Sequence, residues 1–124
     1  KIGYELKERD IVLIQTGASA YNDQERYLTD HCGMTAEATK YLISRGIRLM
    51  GTDAPTFDPP VWAMFERKKF WEAHRVMWEE DYWHIENLTN LDQLPPYGFK
   101  LSAFPIKWTG TTGAPLRAVA ILDE

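Results

Sequence analysis

Three segments narrow the possible folds more than anything else in the chain: Asp10–Thr16 (DIVLIQT), Ala36–Arg45, and the run from Ile47 to Gly51. DIVLIQT is brief, β-branched and stopped by Gly17, which predicts a buried strand. Ala36–Arg45 reads as a helix. Thr35 is a good N-cap, Glu37 sits in the first turn and Gly46 marks the stop. Ala38, Tyr41, Leu42 and Arg45 recur at helical spacing, with the Arg45 stem able to lie along the apolar face. Ile47–Gly51 then predicts a second buried strand. Strand, helix, strand in that order predicts an α/β unit with both strands in one sheet.

Further along, Glu25–Asp30 suggests a short helix after the polar, loop-like Ser19–Gln24. Pro55, Pro59 and Pro60 make the stretch 53–60 an irregular loop. Val61–Glu80 reads as helical segments of mixed spacing, and Trp83–Asn87 as a strand. Asn90–Leu94 is a turn closed by Pro95-Pro96. Lys100–Ile106 and Leu116–Leu122 read as a late antiparallel pair around the loop Thr109–Gly113. The expected class is therefore α/β, a mixed sheet flanked by helices.

Charge and composition exclude several functions. With 14 basic against 18 acidic side chains the net charge is −4, which suits no phosphate backbone, so no nucleic-acid partner is expected. No apolar run is long enough for a membrane span, so no membrane is expected either. The single cysteine, Cys32, cannot form an internal disulfide, which fits a reducing, cytoplasmic setting. The chain starts at Lys1 rather than Met and is expected to be a processed chain or part of a longer one.

There is no G-x-S-x-G, P-loop, G-x-G-x-x-G or C-x-x-C. His31 and Cys32 are neighbours and would point apart on a strand, so a loop end is the simpler account. His84 and Glu86 share a strand face and suit either a metal pair or a surface salt link. His74 and Glu86 stand 12 positions apart across a helix-to-strand change, and their bare spacing demands no metal. Asp53 fits a loop-capping carboxylate better than a site residue. The five tryptophans fit core and interface packing better than a pocket lining.

Order and spacing over most of the chain, however, match a known pattern. It comprises DIVLIQTG and the run Met34–Pro55 (MTAEATKYLISRGIRLMGTDAP). His74 and Glu86-Asn87-Leu88 follow, then the leucine-rich turn Leu91–Leu94. Leu101–Lys107 and Gly113-Ala114-Pro115-Leu116-Arg117-Ala118 complete it. In these segments the chain resembles the C-terminal portion of the cyclase family of metal-dependent hydrolases, which includes bacterial kynurenine formamidase and isatin hydrolase.

The resemblance implies a swivelling β/β/α fold, of which residues 1–124 would be the C-terminal portion of one domain. It implies that His74 and Glu86 are metal ligands to zinc or manganese, often as two ions with Glu86 the natural bridge, and gives His84 no such role. The family's H-x-G-T-H-x-D-x-P-x-H string, which carries the remaining ligands and the general-base histidine, does not occur here. That piece is expected in an N-terminal half, on the same protein or a second chain. The implied activity is hydrolysis of a small-molecule amide, cyclic imide or lactone bond by a metal-activated water, in a homodimer or homotetramer. The alternative is a non-catalytic binding domain on the same fold.

Overall fold

The computed structural model describes residues 2–122. The chain is α/β and divides into two compact units. One comprises residues 5–92, the other the extreme N-terminus together with residues 93 onward.

In the larger unit, strand β1 (Ile11–Ile14) pairs in parallel with β2 (Leu49–Thr52), and β2 in parallel with β3 (Trp83–Ile85), so β2 is central. Helix α1 (Ala36–Ser44) provides the first crossover. Its N-cap is Thr35, whose hydroxyl accepts from the Ala38 N–H at 3.1 Å, as the sequence predicts. The second crossover carries two short helices, α2 (Val61–Arg67) and α3 (Glu72–Val76). Met50 from β2 packs with Ile43, Ile47, Phe57, Ala73, Val76 and Tyr82 in the main core. Gly51 lets neighbouring side chains close over the sheet: a Cβ there would come within 2.7 Å of Leu13 and 2.8 Å of Leu88.

Ser19–Gln24, read from sequence as polar loop, overlaps a 3-10 turn at Ala18–Tyr21, and a second such turn spans Glu25–Leu28. The first is organised from outside itself. Asp53, at the end of β2, accepts from Thr16 N–H and Thr16 Oγ1 (both 2.7 Å), Gly17 N–H (2.9 Å) and Ser19 Oγ (3.3 Å).

In the smaller unit, β4 (Lys100–Pro105) and β5 (Leu116–Ile121) pair antiparallel as expected. They form a two-stranded sheet of their own, so parallel and antiparallel pairings do not share one sheet. Among the described residues no helix is long and apolar enough to cross a membrane.

The tryptophans depart from the core-packing expectation. Trp62, Trp71, Trp78, Trp83 and Trp108 are all between 45% and 82% exposed. Tyr82, Phe57 and Met64 fill the interior instead.

Candidate metal centre

Parallel strands leave their carboxyl ends facing the loops that carry function. At that edge of β3 the chain presents His84, within the strand, and Glu86, just past it. Being two residues apart they share a face, while Ile85 between them is buried. His74 comes from the middle of α3. Its Nε2 lies 3.3 Å from His84 Nε2 and 3.7 Å from Glu86 Oε1, and His84 Nε2 lies 3.4 Å from Glu86 Oε1. Among the described residues this is the group with metal-binding geometry.

The structure thus brings together His74 and Glu86, distant in sequence, and adds His84, which the resemblance leaves without a role. His31 and Cys32 stay outside the cluster. His31 is buried with Nδ1 3.2 Å from the Cys32 carbonyl, and Cys32 is exposed. Asp53 caps the Thr16–Ser19 loop, as the bland account of it holds.

Sequence reasoning missed Asp58. This residue is fully buried in the proline-rich loop. Helix α3 begins at Trp71, which offers no side-chain cap, so its first N–H groups need acceptors from elsewhere. Asp58 supplies them. Oδ1 accepts from the Ala73 N–H at 2.7 Å and Oδ2 from the His74 N–H at 3.2 Å. Oδ2 also bonds His74 Nδ1 at 2.5 Å. An ionised carboxylate only accepts, so Nδ1 carries the proton and Nε2 keeps a lone pair for the cluster. The one sequence signal was an acid sixteen residues before a histidine, at the foot of a Pro-Pro pair.

The loop itself is pinned. Met34 N–H donates to the Phe57 carbonyl at 2.8 Å, and Gly33 lies so close that a Cβ there would fall 2.1 Å from the backbone of Asp58 and Pro59. The Phe57 N–H donates to Glu86 Oε1 at 2.7 Å, and the Phe57 ring stacks on His84, 4.8 Å between centres and 7° from parallel. Thus one loop positions all three side chains of the cluster.

The electrostatics favour a charge-paired cluster, in which an ion must compete with a proton for His74 Nε2. The hydrogen bond to Asp58 raises the His74 pKa above its ordinary value; burial opposes it, and the charges of Asp58 and Glu86 reinforce it. Burial pushes Glu86 upward, but the bonds from His84 and the Phe57 N–H, with the two imidazoles nearby, outweigh it and hold Glu86 below its usual range.

Comparison with known proteins places the chain in a family. Residues 1–59 match the family model described as Putative cyclase, a match that ends before His74 and Glu86. The kynurenine formamidase of Sphingopyxis alaskensis is 32% identical over 95 residues, covering 77% of this chain and 42% of that protein. The chain belongs to the cyclase family. Isatin hydrolase A from Labrenzia aggregata, solved bound to benzyl benzoate, superposes with a TM-score of 0.81 at 33% identity. An isatin hydrolase bound to the product analogue thioisatinate gives a TM-score of 0.82 at 26% identity. Each superposition covers 97% of this chain and 48% of the other. The chain therefore spans under half the length of these cyclase-family relatives.

Proposed function

We propose that the protein carrying this chain is a metal-dependent hydrolase of the aryl formamidase or isatin hydrolase type, cleaving an amide, cyclic imide or lactone bond. The observation that carries this reading is the convergence of His74 Nε2 and Glu86 Oε1, with the His74 proton held on the far nitrogen by Asp58. Neutral imidazole and carboxylate are a donor set that suits zinc or manganese.

His74 and Glu86 would hold the ion, and a second ion shared through Glu86 belongs to the same reading. A bound ion of this kind lowers the pKa of its water and polarises a substrate carbonyl. Asp58 keeps His74 in the ligating tautomer. Hydrogen bonds and the neighbouring imidazoles hold Glu86 below its usual range, so it would meet the ion as a carboxylate. The group that moves the substrate's proton would be a histidine outside this chain. A cytoplasmic setting belongs to the same reading, supported by the free, exposed Cys32.

The test is metal content and turnover of an aryl formamide by the whole protein. His74→Ala and Glu86→Ala should each reduce both to background. Full metal content in both variants would sink the assignment.

The reading includes an N-terminal companion supplying the missing ligands, within a homodimer or homotetramer. Support comes from the exposed aromatics, Trp78 and Phe104 at 82% and Phe65 at 67%, more than a finished surface usually shows. Among the described residues the outer edges of β1 and β3 have no strand partner, which agrees with it. Light scattering of the whole protein should give a dimer or tetramer. Residues 1–124 expressed alone should aggregate and show no hydrolysis with added Zn²⁺ or Mn²⁺. A monodisperse, active 14.4 kDa species would contradict this.

A further inference from the structure

We infer that His84 is a third donor from this chain to the ion held by His74 and Glu86, beside any ligands an N-terminal companion adds. The inference rests on the metal reading above and adds to it a residue that the family pattern leaves out.

The geometry carries it. The three donor atoms form a triangle with edges of 3.3, 3.4 and 3.7 Å. Donors on a tetrahedral ion at bond lengths of about 2.0–2.2 Å stand about 3.3–3.6 Å apart. Two of the three edges fall in that range and the third exceeds it by about 0.1 Å, so a small side-chain adjustment would let the three atoms share one ion.

The chemistry agrees. His74 turns a lone pair toward His84, because Asp58 holds its proton on the other nitrogen. The His84 side chain is only 6% exposed, and its Nδ1 is buried with no hydrogen-bond partner. Nδ1 is unpaired in either tautomer. Without an ion, a proton on His84 Nε2 bridges toward Glu86 or His74; with an ion bound the proton would sit on Nδ1, and two lone pairs and a carboxylate would converge on the cation. The ring cannot swing away, since it lies flat against Phe57 and beside Tyr82. His84 is therefore oriented by stacking, where His74 is oriented by a carboxylate. Lacking an outer acceptor, His84 should be the weaker ligand of the two.

The experiment uses the whole protein, stripped of metal, ¹⁵N-labelled at histidine and loaded with ¹¹³Cd²⁺, reading one-bond ¹¹³Cd–¹⁵N couplings. In the wild type, both His74 Nε2 and His84 Nε2 should be coupled to cadmium. His84→Phe keeps the flat ring on Phe57 and removes the donor. It should lose one coupled imidazole and weaken Zn²⁺ binding in calorimetry. Loss of an outer partner costs about 10–100-fold in metal affinity, so loss of a direct donor should cost on the order of 100-fold or more. If His84 shows no coupling while His74 does, the inference falls and the metal reading stands. If neither is coupled, both fall. The wild-type spectrum decides between these outcomes even where His84→Phe fails to fold.

Discussion

Asp53 and Asp58 stand at the two ends of one proline-rich loop, both almost wholly buried, and do opposite work. Asp53 gives its oxygens to the backbone and hydroxyls of Thr16, Gly17 and Ser19 and so closes the loop after β1. Asp58 gives its oxygens to the start of α3 and to the ring of His74. Burial and charge are alike, so neither marks the residue with chemical consequence. What separates them is the partner: one carboxylate ends on groups that only hold the fold, the other on a group with a second nitrogen to offer.

Substitutions at the two positions should therefore separate stability from metal affinity. The largest effect belongs to Asp58→Ala. It strands two buried N–H groups at about 1–3 kcal/mol each and frees the His74 ring. Urea denaturation should show a loss of about 2–5 kcal/mol, and elemental analysis little retained metal. Asp58→Asn is gentler and more telling. Its amide can donate to Nδ1 and push the His74 proton onto Nε2. Zn²⁺ affinity should fall about 10–100-fold by calorimetry with a much smaller change in stability. An affinity equal to wild type would erase the distinction between the two aspartates.

Asp53→Asn should show the reverse, a loss of about 1–3 kcal/mol at neutral pH with Zn²⁺ affinity unchanged. The smallest effect lies in acid. Burial pushes the Asp53 carboxyl upward, but the bonds from Thr16, Gly17 and Ser19 outweigh it and hold the pKa below the ordinary 3.8. A carboxylate lowered on folding contributes stability in full above its unfolded value and loses it as pH falls through the folded one. The stability gap between wild type and Asp53→Asn should hold from neutrality to about pH 4 and shrink below it. A gap that widens in acid would show that Asp53 is not the charged cap described.

The elements were largely legible in the sequence because they rest on local signals. The Thr35 cap, the Gly46 stop and the β-branched DIVLIQT run each act within a few residues, and α1, β1 and β2 formed where those signals lay. The donor cluster was legible only in part. His74 and Glu86 entered through family resemblance. His84 shares a strand face with Glu86, but that spacing alone favours a surface ion pair. Its role depends on α3 delivering His74 opposite it, a tertiary event. Asp58 left no local trace, because its partners lie 15 and 16 residues away, across α2. The exposed tryptophans show the same limit from the other side: an aromatic count measures the area to be buried, not the surface that buries it.

Gly33 touches none of the three donors, yet the backbone of Asp58 and Pro59 occupies the space where any side chain at position 33 would begin. Even an alanine must push back a segment stiffened by Pro59 and Pro60, and that segment carries Phe57, the stacking partner of His84, and Asp58, the tether of His74. Mutational tolerance in this protein should therefore not follow distance from the reacting atoms. In a saturation library sorted by retained zinc, position 33 should be as intolerant as 74 or 86, while exposed Trp83, immediately beside His84, should accept most substitutions.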